Sequence, residues 1–346
     1  MKRTYDPARR VVKGMGAYLL RMPRYAVLGP RALLLVLVLA TPRPGQAQGL
    51  PEFGPLNPVS ASRSGLYFQP FREPEPGSWR HAVALDYGSV IEYNRLDQAD
   101  YVLDSEILRL SFAASRDISR RTFLALNVSI GGAYAGFLDG FLDWYHAKLG
   151  IRVSEREQRP HDRFLYSITL PDGRTVTRAR PDLFLGDVRA GLGIRLNSQL
   201  QTVLSVTLPT STGPEGYGRG VPSVAVLNTL RVQMTPRLTY EGSLGVGVTP
   251  AHGRLADRQN TAMLAVSSGL RQRIWGSQSL FGNLFYHSPY YHDTTLPALD
   301  RRELSLDFGW ILPRRGGGGE WRVGLTEDLE PGGPGVDLIF RVGRTF

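Results

Sequence analysis

The chain has 346 residues, 42% of them hydrophobic, no cysteine and a formal charge of +10. The lack of cysteine excludes disulfides, thiolate nucleophiles and a lipoprotein attachment site. Residues 1–47 hold nine Lys/Arg and a single acid, Asp6, so roughly +8 of the charge belongs to a leader and about +2 to the rest, which removes the main support for a nucleic-acid partner.

The leader reads as a secretory signal. Arg31 is followed by ALLLVLVLA (Ala32–Ala40), an apolar run of signal-peptide length that is too short to span a bilayer. Gly45 and Ala47 are small residues placed for cleavage after Ala47. Residues 1–47 are therefore expected to be a cleaved signal peptide, with Met22 as a more ordinary start. Residues 48–78, rich in proline, are expected to form a periplasmic N-terminal segment.

From residue 79 onward period-2 alternation dominates. Val188, Ala190, Leu192, Ile194 and Leu196 share one parity, and Asp187, Arg189 and Arg195 share the other. Leu238, Tyr240, Leu244, Val246 and Val248 oppose Glu241 and Ser243; Leu304, Leu306, Phe308 and Trp310 oppose Glu303, Ser305 and Asp307. About twelve such strands occur, each near the length that crosses a bilayer when tilted. Short links (Asn197–Gln199, Thr235–Pro236, Trp275–Gln278) alternate with long ones (Asn94–Val102, Tyr134–Leu183, Thr210–Val221), the rhythm of periplasmic turns and outer loops. The pattern predicts an all-β fold for 79–346: a transmembrane antiparallel barrel of about twelve strands, apolar outside, with a short amphipathic helix in a long extracellular loop.

Inward parity gives candidate lumen-lining residues: Arg109, Asp187, Arg189, Arg195, Arg231, Glu241, Arg271, Arg273, Glu303, Asp307, Arg322 and Arg341. The aromatics Tyr87, Tyr93, Tyr101, Trp275, Tyr286, Tyr290, Trp310 and Trp321 lie near strand ends, either as interfacial girdles or as ordinary strand residues.

In the long loop, AGFLDGFLDWYHAKLG places Leu138, Phe141, Leu142, Tyr145 and Leu149 on one helical face and Asp139, Asp143 and His146 on the other. Such a helix folds into the lumen, lies at the outer interface, or packs on the rim. The first reading makes Phe137, Asp139, Phe141, Asp143, Trp144 and His146 constriction residues. A metal trio of Asp139, Asp143 and His146 is the weaker alternative, and no cofactor is expected. RFLYSITLPDGRTVTRA reads as an extracellular hairpin turning at Pro171–Gly173. In FYHSPYYHD, His287 and Ser288 are adjacent, so on a strand they face opposite ways and make a poor nucleophile–base pair; His292 and Asp293 follow in the loop.

The chain ends VDLIFRVGRTF. Leu338, Phe340, Val342 and the terminal Phe346 share one parity, as expected of a membrane-insertion signal. The stretch resembles the C-terminal strand by which outer-membrane barrels are recognised by the insertion machinery; Arg344 departs from that pattern but near a rim its head can snorkel. GFLDGFLDWYHAKLGI, GDVRAGLG and LPTSTG together resemble a family of uncharacterised bacterial outer-membrane proteins known as a domain of unknown function, over Asn57 to Phe346. LPTSTG is also similar to a strand-end motif in barrels of the aromatic-degradation transporter type. The resemblance implies an outer-membrane location and carries over no catalytic residue or substrate.

The expected function is a channel or transporter for a small solute, with the inward arginines favouring anions and a hydrophobic solute left open. The alternatives are a lipid- or lipopolysaccharide-modifying hydrolase and a non-conducting structural barrel. Expected partners are outer-membrane lipids, the insertion machinery and a small-molecule solute, with no nucleic acid.

Overall fold

The computed structural model describes residues 50–96, 98–150, 156, 158–178, 182–313, 319–330 and 333–346. The signal-peptide reading of residues 1–47 lies outside them.

The wall strands run in chain order. β1 (Trp79–Arg95) and β2 (Asp100–Asp117) form a long hairpin joined across 96–99, and β3 (Thr122–Tyr134) follows. The outer link expected at Asn94–Val102 is thus a tight turn, and the length lies in the strands. β4 (Leu165–Thr169) and β5 (Thr175–Arg178) are the expected hairpin, added to the outer end of β2. β6 (Asp182–Leu185) and β7 (Val188–Arg195) both pair with β3 and act as one wall strand broken at Gly186–Asp187. A Cβ at Gly186 would collide with Ser129 Oγ, so the break brings backbone against β3 where only glycine fits.

β8 (Leu200–Leu208), β9 (Ser223–Thr235), β10 (Leu238–Val248), β11 (Ala262–Trp275), β12 (Gln278–His287), β13 (Glu303–Pro313), β14 (Glu320–Asp328) and β15 (Leu338–Thr345) complete the circuit. β15 pairs with β1, from Ala82↔Thr345 to Ser89↔Leu338, and closes a twelve-strand antiparallel barrel with no free edge.

Parity decides the faces. Leu204 and Leu244 are 46% and 47% exposed, and Val224, Val266, Leu284, Phe308 and Val342 are likewise uncovered. A continuous apolar surface of this extent fits lipid. Trp275, Trp310 and Trp321 stay on the outside, but Tyr101 and Tyr290 are fully buried and belong to no girdle. At the inner rim Arg344 stacks over the rings of Trp321 (5.1 Å) and Phe346 (4.4 Å), which shelters its stem and leaves its charge at the boundary.

Two additions complete the molecule. Residues 50–76 thread the lumen, which corrects the periplasmic placement expected for 48–78. They form an antiparallel hairpin bridged at Phe53↔Phe68, with the short helix α1 (Pro58–Arg63) at its outward tip. α1 starts at Asn57, whose side chain accepts from Val59 N–H, with Pro58 at the first helical position. The second addition is α2 (Asp139–Leu149), which packs on the outside of the wall; α3 (Pro297–Asp300) is a single turn in the β12–β13 loop.

Candidate functional site

The lumen is organised by strand arginines that bind plug carbonyls or wall carboxylates. Near the inner rim Asp117 accepts from Arg72 of the plug and from Arg195 of β7, both at 2.7 Å, and Arg195 also donates to the Arg72 carbonyl at 2.7 Å. Arg231 meets Glu73 of the plug at 2.9 Å and lies 3.6 Å from Glu241. Glu241 in turn accepts the plug amides of Leu50 and Phe71, at 3.4 and 3.3 Å. At mid-height Asp86 accepts from Arg341 (2.6 Å) and Arg109 (2.8 Å). Arg109 also donates to the carbonyls of Pro55 and Gly54, and Arg341 reaches Asp307 at 3.2 Å and lies over the Phe53 ring. Arg189 pairs with Glu52 and stacks on Tyr67; Arg271 and Arg322 share Glu320.

Eleven of the twelve lumen-lining candidates thus point inward: Arg109, Asp187, Arg189, Arg195, Arg231, Glu241, Arg271, Glu303, Asp307, Arg322 and Arg341. Arg273 does not line the lumen. It keeps the parity of Arg271 and pairs with Ser279, but it lies at the inner rim, where its side chain is exposed and donates to the Pro236 carbonyl. Glu303 accepts from Tyr290 OH at 2.7 Å. Sequence reasoning missed Asp86, Asp117 and Glu320 on the wall and Glu52, Asn57, Arg63 and Arg72 on the plug. Asp86 was legible, since it shares parity with Ala82 and Ala84; the plug residues carried no periodic signal.

Where the wall side chains are small, space remains. A cavity of about 230 Å³ lies between the plug and the inner faces of β1–β3, beside Ala82, Ala84, Ser111, Ser129 and Gly131. A second, of about 110 Å³, adjoins it towards the inner rim, and the two share Glu52, Tyr67, Ala113, Asn127 and Arg189 as walls. Arg109, Arg189, Arg219, Arg322 and Arg341 face the larger cavity against Glu52, Asp86 and Asp187.

α2 is not a constriction. Leu138 and Leu142 pack with Leu325, Leu338, Phe340 and Tyr87, all on the outward parity of β14, β15 and β1. Phe137 stacks on Tyr87, Phe141 meets Phe340 at 6.0 Å, and Trp144 is 56% exposed on the outside. The physical reason is the outward polar stretch of β1 and β2. Ser89 and Glu106, on the outward parity at the outer end of the wall, and Asp104 just beyond it would be uncovered without the α2 loop, which supplies partners to all three. Glu106 sits at the start of α2, where it accepts the amides of Phe137 and Leu138, a carboxylate at a helix N-terminus.

Nor are Asp139, Asp143 and His146 brought together: Asp139 binds Arg156 (2.8 Å), Asp143 pairs with His161 (2.6 Å), and His146 lies 3.4 Å from Asp337. Burial alone would raise the Asp337 carboxyl, but the His146 contact and the Arg156 guanidinium hold it below its ordinary value. His287, weighed with Ser288 as a hydrolase pair, contacts Ser64 of the plug instead. Its Nε2 lies 2.9 Å from Ser64 Oγ and its Nδ1 lies 2.6 Å from the Ser288 carbonyl, so the pair ties the plug to β12. His292 Nδ1 lies 3.1 Å from Asn260 Oδ1, and Asp293 gives its carbonyl to Arg258.

A family model described as "Protein of unknown function (DUF3187)" matches residues 75–305, and the chain belongs to that family. No curated protein matches it. Among solved structures, the COG4313 outer membrane channel from Pseudomonas putida F1 superposes with a TM-score of 0.52 at 12% identity, covering 80% of this chain and 98% of that one. A Pseudomonas aeruginosa FadL homologue scores 0.39 at 9% identity, over 86% of this chain and 99% of its own. The CymD monoaromatic hydrocarbon channel scores 0.39 at 8% identity, over 84% and 91%. The last two likenesses are too distant to carry an argument. The first shows the fold alone, a closed β-barrel of the outer-membrane type.

Proposed function

We propose that this member of the family is an outer-membrane channel through which small anionic solutes pass between the plug and the β1–β3 wall. The observation that carries the reading is the pair of adjoining cavities along a stripe of Ala, Ser and Gly side chains. Facing that stripe, five arginines outnumber three carboxylates, which favours an anion. The guanidiniums are fixed by carboxylates and backbone carbonyls, so they offer preorganised donors to a passing solute. The COG4313 protein, a channel by its own description, lends the reading its fold-level support.

Conductance in a planar bilayer tests it. Small anion-selective steps are expected, and Asn127→Trp, which fills the shared wall of the two cavities, should abolish them. Silence of the folded wild type, or steps unaffected by Asn127→Trp, would overturn the passage.

A further inference from the structure

A third cavity, of about 510 Å³, opens among the outer loops. Ser62 and Arg63 of α1 form part of its floor, and Tyr166, His252 and Tyr291 are among its walls. Arg219 lines both this vestibule and the inner passage, beside the plug residues Ser62–Leu66 that separate them.

Its bonding suits a movable side chain. Arg219 is 7% exposed, and its guanidinium donates to the carbonyls of Ser64 (2.7 Å), Ala61 (3.2 Å) and Arg63 (3.5 Å), to Ser223 Oγ (3.1 Å) and to Asp187 (3.2 Å). Four of these five acceptors are neutral and three belong to the plug. An anion is a stronger acceptor than a carbonyl. Arg63, 2% exposed, gives its two terminal nitrogens to the carbonyls of Thr249, Pro250 and Asn260, while its Nε–H has no partner among the described residues. The acid that lines the vestibule, Glu215, is engaged by Arg254. Positive charge therefore gathers at the floor, and it is incompletely satisfied.

We infer that the vestibule captures a small anion and that Arg219 is the latch that admits it to the passage. The inference rests on the channel reading above and adds to it a site and an order of events. An anion in the vestibule competes with the plug carbonyls for the Arg219 guanidinium. Once these bonds are exchanged, the guanidinium swings with its ligand, and the two cavities join.

The absence of cysteine makes the test clean. His252→Cys places a thiol in the vestibule and Ala113→Cys one in the passage, each in the full-length protein, with folding checked by heat-modifiable migration. The probes are thiosulfonate reagents of equal size, one a sulfonate anion and one an ammonium cation, added from the outside. The vestibule thiol is expected to react faster with the anion than with the cation, by a margin that narrows in Arg219→Ala but persists, since Arg63 and Arg254 also line the vestibule. The passage thiol is expected to react slowly with the anion, and about tenfold faster with Arg219→Ala or Arg219→Gln, since the latch bonds no longer have to break. Equal passage rates with and without Arg219 would overturn the latch alone. No anion preference at the vestibule would overturn capture. An inert passage thiol in every background would overturn the channel reading itself.

Discussion

The plug and α2 are both irregular segments docked on the same barrel, one inside and one outside, and they are held by different chemistry. The plug meets a mixed wall: its apolar side chains pack among inward residues such as Phe123, Leu227 and Phe285, and its polar bonds run from wall guanidiniums to its own carbonyls and acids, Arg109 to Gly54 and Pro55, Arg195 to Arg72, Arg231 to Glu73. α2 meets an apolar wall, and it docks by Leu138 and Leu142, with Glu106 at its N-terminus and Asp337 near its far end. The lumen supplies donors that need acceptors, while the lipid side supplies apolar area and tolerates polar groups only under a cover.

The difference sharpens into unequal mutational costs. The largest effect is expected of Arg341→Ala, which leaves Asp86 and Asp307 short of a buried counter-charge. About 3–5 kcal/mol of barrel stability should go, read as a lower urea midpoint for loss of heat-modifiable migration. Asp117→Asn should cost about 3 kcal/mol, because Arg72 and Arg195 lose the carboxylate they share. It acts on the inner end of the plug, so residues 70–76 should become cleavable by protease in a barrel that stays closed. If either substitution freed α2 instead, the separation of inside from outside would fail.

Parity made the barrel legible. The outward leucines and inward arginines were placed by counting alone, since a strand has a period of two and a closed barrel has two solvents. The plug was not legible, because Phe53, Leu56, Val59, Leu66, Phe68 and Phe71 fill an enclosed lumen at irregular spacing among prolines, which reads as a linker. The helix α2 was legible, but its address was not. Helical spacing gave Leu138 and Leu142 as one face, yet the opposite face is also used, with Asp139 and His146 both buried. The missed signal lay in other strands: Ser89, Asp104 and Glu106 interrupt the outward apolar parity of β1 and β2, and such a polar patch beside an apolar one implies a cover.

A smaller effect tests that cover. Glu106→Gln keeps the shape but removes the charge that accepts the amides of Phe137 and Leu138. About 1–3 kcal/mol of local stability should be lost, read as faster hydrogen exchange across residues 137–149 with the plug amides unchanged.

The smallest expected effect is one of pH, and it too should fall on one segment. Because His146 and Arg156 depress the Asp337 carboxyl in the folded state, the protonated form binds them less well than the ionised form does. Its contribution to docking is therefore fully present above the ordinary aspartate value of 3.8 and fades as pH falls through the depressed one. Amides of α2, corrected for intrinsic exchange, should open more often near pH ~3 than at pH ~5. Asp337→Asn should weaken docking at both values and remove the difference between them. A wild-type profile that stays flat over this window would mean that α2 is held by its leucines and Glu106, with the Asp337 pair contributing nothing. A profile that Asp337→Asn leaves steep would place the titrating group elsewhere under the helix, with Asp139 as the next carboxylate to replace.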